Sequence, residues 1–260
     1  MVWFRPTLGV IVAIAVSATL EANGLANYTA LPLFPLMALF WALDRTSRRD
    51  LGLAWGRPRH YLLAVLYPIV VLSIIAATAL AAGAADLSHA HWQHVWINAA
   101  LLAIVTVLLA IITEEGFFRG WLWASLTRAG LKSNGVLICT SVAFALWHVS
   151  SAALPGSEFK LPASQVPIYI LNAAIVGAVW GLLREMSGSV LVSSVSHGFW
   201  NGLAYEGFGE GTKLGALGID NTTLFGPEVG YLGLVLNLIV LAALWRWRRG
   251  RFVVNALGTL

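Results

Sequence analysis

Glu114, Glu115 and Arg119, in the stretch Thr113 to Gly120, stand at the end of the apolar run Ala99 to Ile112. By length and composition that run belongs inside a bilayer. An ionised side chain there costs at least a few kcal/mol, so such residues face a bundle interior or a water-filled cavity, pair with one another, and mark a working site. Helical spacing predicts that Glu115 and Arg119, four apart, share one face, while Glu114 sits about 100° round the helix. One carboxylate is then neutralised and the other is left free for chemistry. Two further polar pairs interrupt later apolar runs at the same spacing, Phe144 with His148 and His197 with Asn201. Counted at 1.5 Å per residue from the nearest basic segments, Glu114, His148 and His197 all fall roughly 20 Å from the inner face. A lone intramembrane histidine is ordinarily a packing residue, and a lone Glu/Arg pair is ordinarily structural. Several polar groups converging at one depth would be a costly way to hold helices together where small residues and single hydroxyls suffice. These residue types suit acid–base chemistry, a three-ligand zinc site at Glu114, His148 and His197, or proton-coupled transport.

The elements that must carry them are membrane helices. Of 260 residues, 58% are hydrophobic and only 11% charged, against roughly 25% charged in soluble domains; the mean hydropathy is +0.78. The expected fold class is all-α, a polytopic transmembrane helical bundle of about eight spans. They are Leu8 to Leu20, Leu31 to Leu43, Leu62 to Ala82, Val95 to Ile112 and beyond, Gly135 to Val149, Ile168 to Leu183, Val190 to Tyr205, and Val229 to Trp245. Leu8 to Leu20, preceded by Arg5 and followed by small residues, has the look of a signal peptide; it is read as a first transmembrane helix. The net charge of +4 does not point to nucleic acid, because the basic residues fall in short clusters between apolar runs. Arg45, Arg48, Arg49, Arg57 and Arg59 form one, Arg128 and Lys132 a second, Arg184 a third, and Arg246, Arg248, Arg249 and Arg251 a tail. The positive-inside rule places all four in the cytoplasm, and with them both termini. Residues 1–260 are read as a single membrane domain with a motif-bearing core at about 95–205. The outer loop Glu206 to Glu228, rich in Gly, is expected to be irregular and mobile. Cys139 excludes an intrachain disulfide and is read as a small core residue. Trp121, Trp123, Trp147 and Trp200 are read as packing around the polar layer.

The three pairs together resemble the CPBP family of intramembrane glutamic proteases, which includes the type II CAAX prenyl endopeptidases and bacteriocin-processing or immunity-linked homologues. Its EExxxR motif is matched by Glu114, Glu115 and Arg119, its FxxxH by Phe144 and His148, and its HxxxN by His197 and Asn201. The resemblance implies a metal-independent endopeptidase with no cofactor, acting on a membrane-associated peptide or protein near its terminus. Glu114 and His148 would hold and deprotonate a water, and His197 and Asn201 would donate to the oxyanion. Glu115 with Arg119 would orient Glu114, although spacing alone leaves open which glutamate is the base. Ser193, Ser194 and Ser196 lie near His197, but nothing requires them as nucleophiles. Other readings are a peptide-binding immunity protein of the same fold, a zinc protease and a transporter; no inverted repeat supports the last. His89, His91 and His94 could hold a surface metal, but a hydrated His-rich turn is the simpler reading. The lipid bilayer is the expected surrounding, and the composition suggests a bacterial inner membrane.

Overall fold

A computed structural model describes residues 2–88, 90–154, 161–211 and 213–257. His89, Glu158 and Lys160 lie outside the described residues. The chain is 74% helical with almost no strand, an all-α polytopic membrane bundle. Its long helices are α1 (Phe4–Ala22), α2 (Leu33–Asp44), α3 (Pro58–Ala81) and α4 (Trp92–Ile112). After a π-helical stretch (Glu115–Leu122) come α5 (Trp123–Arg128), α6 (Ser133–Trp147), α7 (Val149–Ala153), α8 (Val166–Ser187) and α9 (Val190–Phe208). A two-residue hairpin, β1 (Gly209–Glu210) with β2 (Lys213–Leu214), and a short α10 (Thr222–Phe225) precede α11 (Tyr231–Leu257).

Each of the eight expected spans coincides with one of these helices, yet among the described residues only seven segments are long and apolar enough to cross a membrane. The one that falls short is α9. It has 19 residues but carries Ser193, Ser194, Ser196, His197 and Asn201, because it lines the interior rather than meeting lipid. By contrast α4, against which α9 packs, buries only Ala99 and Ala110 and exposes Leu101, Ile104 and Leu108. Lipid-facing α4 is therefore apolar almost all round, as a helix at a bundle's edge in a bilayer must be.

Small residues let the central helices meet. Gly198 and Gly202 form a G-x-x-x-G pair on α9, a spacing that brings transmembrane helix backbones together. A Cβ at Gly198 would lie 2.5 Å from the Ala103 carbonyl oxygen, and one at Gly202 would lie 2.4 Å from that of Ala99. On α1 the buried residues Gly9, Ala13, Ser17 and Glu21 fall four apart in one stripe, and Gly9 admits the Trp121 ring. Four capping or breaking signals are legible: Pro58 opens α3, Pro167 opens α8, Gly188 ends α8 with φ 69° and Arg45 ends α2 with φ 49°.

The four basic segments gather at one end of the bundle. Asp44 accepts from Arg5 and Ser125, its carbonyl accepts from Arg128, and Arg184 donates to the Asp50 carbonyl. Arg248 reaches Asn134 and Glu185 there. At the other end Asn98 meets Glu206, the Asp86 amide meets Leu217, and Gln165 meets Thr222 and Thr223. The expected irregular loop thus contains the hairpin and α10. Cys139 is exposed on α6, so it is not a core residue. It faces outward because the opposite side of α6, with Val136, Leu137 and Thr140, is the one turned to the bundle.

Candidate active site

The first motif is built on an interruption. Thr113 leaves helical geometry, with φ −106° and ψ −104°, and the chain restarts at Glu114 in a wider coil running Glu115–Leu122. π-helical turns are rare and recur at functional sites. Gly116 permits this one, since a Cβ there would stand 2.4 Å from the Ile111 carbonyl oxygen and 2.7 Å from Met37 Sδ. The 100° step expected of a regular α-helix therefore does not apply here. The four-residue pairing survives nonetheless, because Arg119 Nη1 donates to Glu115 Oε1 at 3.0 Å with both side chains fully buried. The Arg119 carbonyl accepts from Arg184 Nε at 3.0 Å.

Arg119 is enclosed. Its guanidinium lies 4.1 Å from the Phe144 ring centroid and 5.5 Å from that of Trp180, and Nη2 donates to the Gly177 carbonyl at 3.1 Å. Aromatic faces attract a desolvated cation with about 2 kcal/mol or more, so Phe144 supplies the Arg119 site with one wall. Phe144 also fixes His148: the ring Nδ1–H donates to the Phe144 carbonyl at 2.8 Å. A carbonyl can only accept, which leaves His148 Nε2 with the lone pair of the neutral ring. The short helix α7 that follows is tied to α1 through Ser151, which donates to Glu21 at 2.7 Å.

His197 stands between the two glutamates. Its Nδ1 lies 3.3 Å from Glu115 Oε1 and its Nε2 3.9 Å from Glu114 Oε2. The indole of Trp180 stacks on its face at 4.1 Å. Glu115 thus accepts from both Arg119 and His197, whereas Glu114 keeps 17% of its side chain exposed. A cavity of about 40 Å³ is lined by His148, His197, Asn201, Phe144, Tyr169 and Glu228 among others. That is room for very few waters.

The structure brings together Glu114, Glu115, Arg119, Phe144, His148, His197 and Asn201 at one level of the bundle. In one respect it departs from expectation: the imidazole beside Glu114 is His197, while His148 meets the shared cavity from the opposite wall. Of the serines near His197, Ser193 and Ser194 both donate to the Val190 carbonyl, while the Ser196 hydroxyl is buried without a hydrogen-bond partner among the described residues. Among the described residues no three His, Cys, Asp or Glu side chains converge as a metal ion would require. Two contributors escaped the sequence reading, Trp180 and Glu228. Trp180 had no signal, since one Trp among twelve in apolar runs stands out in nothing; Glu228 was visible only as one acid in an outer loop.

Trp121, Trp123, Trp147 and Trp200 are all buried, and Trp121 stacks on Phe40 while donating to Asp44. With three ordered motifs meeting in one polar layer inside a helical bundle, the comparison with known families has a definite object. Residues 96–203 match the Rce1-like family model, that of the type II CAAX prenyl endopeptidases. The Rce1-like segment runs from α4 to α9, contains every motif position, and leaves out α1, α2, α3 and α11. It is under half of the chain. The matched family is a protease family, the same to which the motifs point. No curated protein and no solved structure gives a significant match.

Proposed function

We propose that this protein is a metal-independent intramembrane endopeptidase in which a glutamate-activated water cleaves a membrane-associated peptide or protein. What carries the proposal is the unequal environment of the two glutamates. Glu115 is fully buried and bound by Arg119 and His197, which makes it an orienting group. Glu114 is partly open and faces His197 Nε2 across 3.9 Å, a gap that one water can bridge. These surroundings favour Glu114 as the base.

In the reaction Glu114 takes a proton from the water as its oxygen attacks the scissile carbonyl carbon. His148, with its Nε2 lone pair free, accepts from the same water and aims it. Charge developing on the carbonyl oxygen is met by donors from α9, the Asn201 amide and the Nε2–H of a His197 imidazolium whose Nδ1–H is held by the Glu115 carboxylate. Such preorganised donors are worth about 3–4 kcal/mol each in comparable sites. When the tetrahedral intermediate collapses the C–N bond breaks, and Glu114 returns its proton to the departing amine. The surroundings are the lipid bilayer, and the positive-inside rule puts the basic end of the bundle, with both termini, in the cytoplasm of a bacterial cell.

Glu114→Gln keeps shape and hydrogen bonding and removes the base. Hydrolysis of a quenched-fluorescent membrane peptide by the purified protein in nanodiscs should fall at least the roughly 10²-fold that one general base contributes. Equal rates for the variant and the parent would end the proposal. Activity should also persist in excess chelator, and loss of stoichiometric zinc together with activity would move Glu114, His148 and His197 to the role of metal ligands.

A further inference from the structure

Glu228 belongs to none of the three motifs, yet it lines the same small cavity as His148, His197 and Asn201. It also lines a second, larger cavity of about 350 Å³ toward the outer end, between α9, the β1–β2 hairpin and α10. Glu228 and Tyr205 are shared by both cavities, so they form the partition between an outer vestibule and the catalytic layer. A substrate chain that passes from the vestibule into the cavity of His148, His197 and Asn201 meets this carboxylate on the way.

Its position is fixed from three directions. Asn172 on α8 donates to the carbonyls of Pro227 and Glu228 at 2.9 and 3.1 Å. Asn172 is itself held by Asn237 of α11 at 2.9 Å, and Asn237 by the Tyr67 hydroxyl of α3 at 2.8 Å. On the side-chain end, Trp200 Nε1 donates to Glu228 Oε1 at 2.8 Å. A buried relay of this kind holds a carboxylate with little freedom, which is how a binding group is preorganised.

The carboxylate forms no salt bridge among the described residues. Its one side-chain hydrogen bond is from a neutral indole, for which a neutral amide would serve as well, and a carboxylate can accept several more. On the catalytic side the group that can carry positive charge toward it is His197, across the small cavity, and that ring is already held by Glu115. In the vestibule the described ionisable residues are Glu210, Asp220, Glu228 and Lys213, and Lys213 is exposed. A fixed carboxylate in a partly desolvated passage, short of positive charge, is complementary to a cation.

Resting on the protease assignment above, we propose that Glu228 is a specificity-determining residue that binds a positively charged group of the substrate, a Lys or Arg side chain or a free amino terminus, on the vestibule side of the scissile bond. Burial, then the nearby Glu210 carboxylate, raises the Glu228 carboxyl to about 7. The other titratable groups around it are His148, His197 and Glu114 on the catalytic side and Tyr169, Tyr205, Lys213 and Asp220 toward the vestibule. Glu228 therefore gains charge, and with it cation affinity, as the pH rises from 6 to 8.

The test uses binding, so that it does not depend on cleavage. Fluorescein-labelled Ala/Leu decapeptides carry Lys, Arg, Gln or Glu at one central position with an acetylated amino terminus, and a fifth carries Gln with the terminus free. Anisotropy is read on the full chain in nanodiscs as Glu114→Gln, which cannot turn over, and as Glu114→Gln with Glu228→Gln. The glutamine still accepts from Trp200, and melting temperatures verify folding. The expected result is about tenfold tighter binding of the Lys and Arg peptides, or of the free-amine peptide, than of the acetylated Gln peptide. Whichever arm shows it names the source of the cation. A preference for the Lys and Arg peptides should be larger at pH 8 than at pH 6, whereas the free amine loses its own charge near pH 8 and is compared at pH 7; either preference should vanish with Glu228→Gln. Equal binding of all five peptides, no binding, or a preference unchanged in the double variant would overturn the proposal. Loss of hydrolysis in the parent with the preference intact would instead count against the protease assignment alone.

Discussion

Arg119 has no exposed surface, and that fact separates two roles its sequence position leaves open. A group that binds a substrate carboxylate must be reachable; Arg119 is walled by Phe144 and Trp180 and holds Glu115 and the Gly177 carbonyl. It acts as a clamp. Arg119→Ala strands a buried carboxylate, a change that typically costs about 3–5 kcal/mol. Glu115→Gln combined with Arg119→Gln removes both charges and should recover much of that stability, which a double-mutant cycle of melting temperatures in detergent would measure. Additive losses without rescue would show that the ion pair is not what Arg119 contributes. Neither the single nor the double variant should regain hydrolysis, because both lose the guanidinium that holds Glu115 and the double also removes the ionised acceptor of His197 Nδ1. At this scale the grouping was legible: Glu114, Glu115, Arg119 and His197 meet, and Phe144, His148 and Asn201 line the adjoining cavity with His197. The partnering was less so. Spacing could pair Glu115 with Arg119, which are near in sequence, but could not say which imidazole faces Glu114, since that depends on how α9 is rotated against α4.

The rotation of α9 is set by its glycines. Gly198 and Gly202 press one face onto the α4 backbone, and this turns His197 of the adjoining face toward the π-helical stretch, with Asn201 lining the small cavity beside it. Gly202→Ala would place a methyl 2.4 Å from the Ala99 carbonyl oxygen and drive the helices apart. Overpacking of this sort costs typically about 1–3 kcal/mol; hydrolysis should fall by at least about tenfold, as small displacements at a catalytic centre do. Leu108→Ala, on the lipid-facing side of α4, should do neither. Rates and melting temperatures of the two variants side by side decide it. The G-x-x-x-G pair stands in the sequence one residue after each member of the third motif, a signal of this seam that the sequence reading did not take up. The break at Thr113 and the wider coil after it had no such signal. They follow from the need to turn two adjacent glutamates inward at the foot of a helix whose upper part meets lipid, a tertiary demand that local pattern does not carry. Hydropathy erred in the same direction, since α9 reads as less apolar for the reason that it is interior.

For the molecule as a whole, basic segments at one end and mainly acidic outer segments at the other give a sidedness that can be checked directly. In a Cys139→Ser background, Ser88→Cys should react with a membrane-impermeant maleimide in intact cells, and Ser47→Cys only once the membrane is opened. The reverse pattern would invert the orientation. Both residues are exposed, so the labelling reports side and not burial. The small volume at the catalytic layer has a kinetic consequence. A space of about 40 Å³ is too small for a polypeptide, so under the proposed function the resting protein is latent and each turnover must begin with separation of the helices around it. Where such opening is slow it sets kcat, and the reactivity of the bond then ceases to matter. An ester and an amide of one sequence should be hydrolysed at nearly equal kcat, and both should slow together when the surrounding lipid is stiffened. A bilayer crowded with peptide bonds is thereby kept from indiscriminate cutting by the slowness of a door.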